Sequence, residues 1–267
     1  MSIEDIIITH RLNISEKTLR RNFDRFLNQR TLPPKVSDVR AIHLRVDATY
    51  FGRWGCNIVF KTENKIVFWE FVDRERYVHY VYCFSRLRDL GYSVLSITSD
   101  KHKSIISAVK TVFPGVPHQY CTVHLQRSCQ TLLTRNPESK AGRDLLHLIK
   151  HLNQIKTHTE KEVFTYWFNK LEFEHKEFIN HRSFGFKPNG KKTWWYTHHS
   201  VRRAYVQVRG SLDNIFLYLE DSSIPKDTNG LEVEFRHLKN KLDAHMGLKR
   251  NRRKKFILWY WYLKSMH

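Results

Sequence analysis

The strongest constraint on the fold is a change in the spacing of apolar residues at Ala41. From there apolar and polar side chains alternate as far as Phe51, which predicts a strand with one buried face. Two more strands are predicted at residues 57–62 and 65–72, with Glu63 and Asn64 as the hairpin turn between them. The region after Ala41 is therefore expected to open with three strands.

Helices and strands alternate along the following stretch, as far as residue 123. The spacing predicts helices at residues 76–90 and 101–113 and short buried strands at residues 94–98 and 119–123. This order predicts an α/β domain with a sheet of mixed direction. Beyond His124 the pattern is helical for about a hundred residues, apart from a Gly/Pro/Lys loop at 185–192. Two final helices are predicted at residues 229–245 and 252–264.

A short helical segment precedes the sheet region. Its helices are predicted at residues 3–10 and after Ser15, the expected N-cap, and the second should bury Leu19, Phe23, Phe26 and Leu27. Three arginines lie away from that apolar stripe, as in a helix-turn-helix recognition helix, although an ordinary amphipathic helix is the alternative: Arg20, Arg21 and Arg25. Consecutive prolines indicate a linker, so we expect a boundary near residue 35, between a segment 1–35 and a domain 36–267.

The charge of the chain points to a polyanionic partner. Lys and Arg number 46 against 26 Asp and Glu, a net charge of +20, which disfavours a neutral or acidic metabolic enzyme and makes nucleic acid the expected partner. Several basic clusters stand beside aromatic residues, a mixture that suits phosphate neutralisation and base stacking. Besides the three arginines above, the predicted DNA-binding residues are Trp194, Trp195, Arg202, Arg203, Arg252 and Arg253. For the two tryptophans, a buried aromatic core is the alternative.

Membrane insertion and secretion are not expected. The longest apolar run extends only from Phe256 to Leu263, whereas a membrane-spanning helix needs about 20 residues. The first residues lack the basic region and the cleavage site of a signal peptide. Four cysteines at irregular spacing do not predict a disulfide framework. We therefore expect a cytoplasmic protein associated with the nucleoid.

Three carboxylates stand where an α/β sheet often places functional groups. Asp47 lies on the polar face of the first strand, and Asp100 follows a buried strand, where helix capping is the plain alternative. Glu232 and Glu234 flank opposite sides of the buried stripe of the late helix, and periodicity does not choose between them. Carboxylate oxygens suit hard divalent cations, and a pair of such ions catalyses phosphoryl transfer. This donor set on a basic chain suggests a nuclease-like enzyme.

Four ordered segments resemble the motifs of DDE transposases of the bacterial insertion-sequence group related to Mutator-like elements. They are Arg45-Val-Asp-Ala-Thr-Tyr-Phe, Ile97-Thr-Ser-Asp-Lys-His-Lys-Ser-Ile, Gln119-Tyr-Cys-Thr-Val-His-Leu-Gln-Arg and Thr228-Asn-Gly-Leu-Glu-Val-Glu-Phe-Arg-His-Leu-Lys. The stretch from Trp194 to Arg203 also resembles the insertion of this group. The resemblance extends from about residue 41 to the end of the chain.

The resemblance implies a ribonuclease H-like fold with a helical insertion at about residues 130–225. It assigns the catalytic and metal-binding roles to Asp47, Asp100 and Glu232, which leaves Glu234 without one. It also implies two magnesium ions, with manganese as a substitute. Cys121, His124 and Asn229 match supporting motif positions, whereas Gly230 replaces an Asn that is frequent in relatives. As a zinc site, Cys121 and His124 would be incomplete.

The function that the resemblance implies is metal-dependent cleavage and strand transfer of an insertion sequence. The expected partners are double-stranded DNA, as element ends and target, and further copies of the chain in a homo-oligomer on DNA. The segment before the sheet is short compared with the end-recognition domain of relatives. A truncated or domesticated DNA-binding protein without catalysis is therefore the main alternative, and a plain ribonuclease H-like nuclease is a third.

Overall fold

The computed structural model describes residues 3–29, 31–33, 35–36, 38–245 and 247–266. The strands of the central sheet are β1 (Arg40–Tyr50), β2 (Cys56–Lys61), β3 (Ile66–Val72), β4 (Tyr92–Ser99) and β5 (His118–Tyr120). Their order in the sheet is β3-β2-β1-β4-β5. β2 is antiparallel to both β1 and β3, whereas β4 is parallel to both β1 and β5. This mixed sheet, with its helices, is a ribonuclease H-like α/β fold.

The helices fall into four groups along the chain. Two precede the sheet, α1 (Ile3–Thr9) and α2 (Glu16–Leu27), and two connect its strands, α3 (Tyr77–Asp89) and α4 (Lys103–Val112). After β5 follow α5 (Thr122–Leu133), α6 (Lys140–His151), α7 (His158–Asn180), α8 (His199–Arg209) and α9 (Leu217–Glu220). The last are α10 (Asn229–Asp243) and α11 (Arg250–Ser265). Within the described residues, no helix is long and apolar enough to span a membrane.

The two faces of the sheet bury separate apolar clusters. One face packs against α3 and α4, with Leu44 and Phe60 contributing from the strands and Phe84 from α3. The other packs Val59 and Trp69 against α10 and α11. In β1 the predicted alternation holds from Ile42 to Val46 and then shifts by one residue, so that Thr49 is buried and Tyr50 is exposed. Helices cover both faces of the sheet, and Asp47 and Asp100 towards the ends of β1 and β4 are partly exposed.

The insertion between β5 and α10 has its own apolar core and fixed contacts with the sheet. Buried Gln119 of β5 donates to the carbonyl of Ile215 at 3.0 Å and accepts from the backbone N–H of Leu217 at 3.0 Å. The ammonium of Lys101 donates to the carbonyls of Gln207 and Gly210 at 3.1 and 2.7 Å, and it also reaches a serine hydroxyl. Polar contacts therefore join the insertion to the ends of β4 and β5.

The insertion contains a β-hairpin that the helical pattern did not predict. Strands β6 (Arg182–Phe186) and β7 (Lys192–Tyr196) pair antiparallel around the segment predicted as a loop. Aromatic residues, which favour extended backbone, alternate with small ones in β6, and Gly190 adopts a positive φ of 76° in the turn. The prediction of a purely helical region broken by a loop was wrong here, because the alternation is too short to stand out.

The segment before the sheet differs in part from the prediction. Ser15 caps α2 as expected, accepting from the backbone N–H of Thr18. Of the four apolar residues predicted to be buried, only Leu27 is, and Phe23 is exposed. Phe26 is partly covered because it stacks on Trp259 of α11 at 3.9 Å between ring centroids. Pro34 and Ser37 of the predicted linker lie outside the described residues, and the boundary near residue 35 stays a prediction.

Candidate functional site

Two of the predicted carboxylates lie on neighbouring parallel strands. Arg45 of β1 is opposite Thr98 of β4 in the ladder, and Asp47 and Asp100 each follow two residues later. Asp47 is in β1, whereas Asp100 comes directly after β4 and accepts from the backbone N–H of His102 at 3.2 Å. The N-cap position of α4 is His102, so Asp100 does not occupy the capping position. The same edge of the sheet therefore carries both carboxylates.

Thr228 connects this edge to the start of α10. Its hydroxyl lies 3.3 Å from Asp47 Oδ2, 3.4 Å from His124 Nδ1 and 3.6 Å from Cys121 Sγ. Its backbone N–H donates to the same sulfur at 3.4 Å. Thr228 is fully buried. The Cys121 and His124 of the motif are thus in contact with the residue that precedes α10, and they join the sheet to the third carboxylate.

The two glutamates at the start of α10 have different surroundings. Glu232 lies in the first turn of α10, 3.6 Å from His124 Nε2, and forms a close ion pair with Arg127 of α5. Glu234 instead lies 3.5 Å from Lys61 Nζ and 3.2 Å from Lys264 Nζ. Glu232 therefore faces the Cys121 and His124 motif, whereas Glu234 ties α10 to β2 and α11.

Asn229 is the first residue of α10 and is exposed. Its backbone N–H donates to Asp227 Oδ1 at 3.0 Å, which fixes the turn that leads into the helix. Adjacent Gly230 accepts from Lys61 Nζ at 3.5 Å through its carbonyl. Both residues therefore shape the start of the helix that carries Glu232.

The electrostatics of the site place a cationic histidine among partly buried carboxylates. Burial, with the nearby charges of Asp100 and Glu75, raises the pKa of Asp47 from 3.8 to about 7, while His124 and the Ala48 N–H oppose the shift. The hydrogen bond with Cys121 and the charges of Asp47 and Asp100 raise the pKa of His124 to about 9, against the effect of its burial. His124 is therefore protonated at neutral pH, and Asp47 retains a proton more readily than an ordinary aspartate.

The donor chemistry at this site fits a hard cation. Asp47, Asp100 and Glu232 offer carboxylate oxygens, and the raised pKa of Asp47 shows a negative charge that its surroundings satisfy poorly. The carboxylate oxygens of these three residues do not all lie within 4.8 Å of one another, and Glu232 is paired with His124 and Arg127. Binding of an ion by all three would therefore require Glu232 to exchange at least one of these cationic partners.

A second group of possible metal ligands lies within the insertion. Ligand atoms of Asp144, Glu174 and His175 lie within 4.8 Å of one another. Asp144 Oδ2 and His175 Nε2 are 2.8 Å apart, so these two residues already join α6 to α7. The sequence pattern did not predict this group, because its members come together only when the two helices pack.

Two nearby side chains that could add zinc ligands to Cys121 and His124 have other partners. Cys129 Sγ donates to the carbonyl of Ala204, and His118 Nε2 pairs with the hydroxyl of Ser99 at 2.8 Å. The four cysteines are buried and form no disulfide. The geometry thus assigns Cys121 and His124 to the hydrogen bonds around Thr228.

The hairpin presents aromatic and cationic side chains on one face. Phe184 lies opposite Trp194 in the ladder, and the guanidinium of Arg182 lies 4.3 Å from the Trp194 ring. Trp194 and Trp195 are 47% and 51% exposed, so neither belongs to a buried core. Trp195 covers Gly185 on the other face. The alternative of an aromatic core for these two residues was therefore wrong.

The remaining predicted DNA-binding residues are spread over three helices. Arg203 of α8 is exposed, whereas Arg202 lies 3.7 Å from the Tyr196 ring and donates to Asn180. On α2 the arginines 20, 21 and 25 are exposed. Arg252 donates through Nε to Asp24 at 2.7 Å and so holds α11 against α2, while Arg253 is half-buried on α11. The DNA-binding roles of these residues stay predictions.

The fold and the carboxylates at its strand ends define a protein of the ribonuclease H-like class. The family follows from the sequence. Residues 25–175 match the model of the family described as "Transposase, Mutator family". The chain belongs to this family, and a transposase role with DNA as its partner follows. The matched range includes Asp47, Asp100 and the Cys121 and His124 motif, whereas Glu232 and the hairpin lie beyond it. Among curated proteins no match was found.

Proposed function

We propose that the chain is a DDE transposase that cleaves DNA at the ends of an insertion sequence and joins those ends to target DNA. The observation that carries the proposal is the contact of Thr228 with Asp47, His124 and Cys121. Through it, segments far apart in the sequence bring the start of α10, with Glu232, to the strand end that carries the two aspartates.

Asp47, Asp100 and Glu232 would hold the divalent ions. Magnesium, or manganese in its place, would supply activation of the attacking hydroxyl and charge stabilisation of the attacking and leaving oxygens. The raised pKa of Asp47 supports this role. Its surroundings stabilise the negative charge poorly, so a bound cation would stabilise the ionised carboxylate.

His124 would orient Glu232. As a cation between Asp47 and Glu232, it offsets part of their charge and holds the α10 carboxylate near the sheet edge. Cys121 and Thr228 fix the ring of His124 from its other side. Arg127 is the more exposed partner of Glu232. Its guanidinium would therefore be able to leave this carboxylate and bind a DNA phosphate.

The hairpin would contribute to DNA binding together with α8. Between Glu177 and Asp213 the chain has no acidic residue, so the exposed aromatic rings lie in a region of positive charge. Aromatic rings beside cations suit stacking of bases and neutralisation of phosphates. We also propose that several copies of the chain act together on DNA, because two element ends must be joined in one reaction.

The proposal is tested by magnesium-dependent nicking and strand transfer on DNA that carries the element's own ends. Asp47→Asn, Asp100→Asn and Glu232→Gln keep the side-chain shape and remove a charge, so each should abolish cleavage about as fully as the triple change. Glu234→Gln is the matched control and should stay active, because its partners are lysines of the scaffold.

The outcomes separate the alternatives. A wild type that binds the ends and never cuts them would support a DNA-binding protein without catalysis. Cutting without joining would support a nuclease. Loss of activity in Glu234→Gln with retention in Glu232→Gln would contradict the assignment of the third carboxylate.

A further inference from the structure

A fourth carboxylate lies beside the candidate site, on a segment that the sequence analysis did not select. Glu75 stands between β3 and α3, and its side chain is only 10% exposed. A carboxylate buried to this extent must be hydrogen-bonded, paired or bound to a metal. Glu75 Oε2 accepts from the hydroxyl of fully buried Tyr80 at 2.8 Å, and Tyr50 forms a second hydrogen bond. The neutral tyrosine hydroxyls therefore provide hydrogen bonds to the Glu75 carboxylate but do not neutralise its negative charge.

The only ion-pair partner of Glu75 within the described residues is His102, the N-cap residue of α4. His102 Nδ1 lies 3.7 Å from Glu75 Oε2, while the backbone N–H of His102 donates to Asp100 Oδ1 at 3.2 Å. One residue thus contacts both carboxylates. Tyr50 provides a second connection, because it is in β1 three positions after Asp47. Glu75 is therefore joined to both strand ends that carry the aspartates.

Charge effects agree with this geometry. The negative charge of Glu75 contributes to the raised pKa of Asp47. The three carboxylates, Asp47, Asp100 and Glu75, together raise the pKa of the Tyr80 hydroxyl, to which burial contributes most. The three negative groups are thus close enough to act on one another and on the same tyrosine.

We propose that Glu75 is a further acidic residue of the site, which favours divalent cations at Asp47 and Asp100 by its charge and orients Asp100 through His102. This rests on the proposed function. Glu75 is a positioning residue here, since it contacts the residues next to the aspartates. Two dications carry more positive charge than two aspartates and a glutamate can neutralise, so an additional buried carboxylate lowers the free energy of the loaded site. A purely structural Glu75 would only hold the two tyrosines.

Metal binding without DNA separates these roles. The experiment measures the Kd for Mn²⁺ by calorimetry on wild type, Glu75→Gln and Asp100→Asn, with thermal unfolding in EDTA alongside. Glu75→Gln keeps the shape of the side chain and its acceptor oxygen while removing the charge. We expect its Kd for Mn²⁺ to rise about 10- to 100-fold, the usual effect of residues that support metal ligands. In EDTA its Tm should equal or exceed that of wild type, because a like charge is removed.

Two further variants keep the test decisive. Glu75→Asp retains the charge and should keep most of the Mn²⁺ affinity even if its shorter side chain lowers the Tm. Glu234→Gln is the control for a partly buried glutamate that is paired with lysines, and it should leave the Kd unchanged.

The outcomes distinguish this inference from the proposed function. An unchanged Kd in Glu75→Gln with lost binding in Asp100→Asn overturns the role of Glu75 alone. Equal loss of affinity in Glu75→Gln and Glu75→Asp overturns it as well, since the charge would not matter. A wild type that binds no Mn²⁺ overturns both the role of Glu75 and the metal-dependent function.

Discussion

Replacing Asp47 with Asn should stabilise the metal-free protein at alkaline pH. The pKa of Asp47 is about 7 in the folded protein and 3.8 in its ordinary state, so between these values the folded state binds the extra proton. Stability is then lost as the pH rises from about 4 to about 7, and the full penalty persists above pH 7. Asn cannot ionise, and the variant therefore avoids the penalty.

The magnitude follows from the size of the shift. About three pH units at about 1.36 kcal/mol each give an upper value of about 4 kcal/mol. The attraction of His124 is already included in this shift, but Asn weakens the contact with the Thr228 hydroxyl. This loss, together with relaxation of the folded state around the charged Asp47, offsets roughly half of the upper value, which leaves on the order of 2 kcal/mol, or about 4 to 8 °C in Tm.

The assay is thermal unfolding of wild type and Asp47→Asn in EDTA at pH 4.5 and pH 8. The gain should be present at pH 8 and nearly absent at pH 4.5. Excess Mg²⁺ at pH 8 should close the gap, because the ion stabilises wild type by binding its folded state. Glu63→Gln, in the exposed hairpin turn, is the control and should change neither Tm. A variant that is less stable than wild type at pH 8 in EDTA would refute the reasoning.

Three more expectations concern DNA and the metal. Affinity for duplex DNA should fall steeply with salt, since each neutralised phosphate releases about 0.9 counterion; a flat titration would exclude nucleic acid as the main partner. Trp194→Ala should lower strand cleavage and leave cooperative unfolding intact, because stacking contributes about 1 to 3 kcal/mol per base, whereas Trp195→Ala should also destabilise the hairpin where the ring covers Gly185. Arg127→Gln should raise the affinity for Mn²⁺ in calorimetry by freeing Glu232 of a competing cation; a lowered affinity would show that the arginine instead positions the carboxylate.

Much of the fold could be predicted because side chains that are buried at regular intervals give a regular spacing of apolar residues in the sequence. The turn at Glu63 and Asn64 is confirmed, and the predicted strands and helices of the sheet region match within a few residues. The strand predicted to reach residue 123 ends at Tyr120, because α5 begins at Thr122. The hairpin was missed because two five-residue strands within a helical region give too short an alternation.

The candidate site could be predicted only in part. Residue spacing selected Asp47 and Asp100, but the choice of Glu232 over Glu234 came from the resemblance. The structure gives a physical basis for that choice, because Glu234 is held by Lys61 and Lys264. Glu75 has no pattern that marks it, since its closeness to the site depends on how α3 packs. The catalytic and DNA-binding roles of all these residues stay predictions.

The contacts of Lys101 and Gln119 determine how freely the insertion can be exchanged between relatives. Removing the insertion would strip the carbonyl acceptors from the Lys101 ammonium and leave the buried amide of Gln119 with the Tyr120 carbonyl but without its partners at Ile215 and Leu217. Each unsatisfied group of this kind costs about 1 to 3 kcal/mol. A graft from another transposase would have to reproduce these acceptors at the same places. The insertion is thus not a portable module, and chimeras should be cut at its outer hairpin, away from its junction with the sheet.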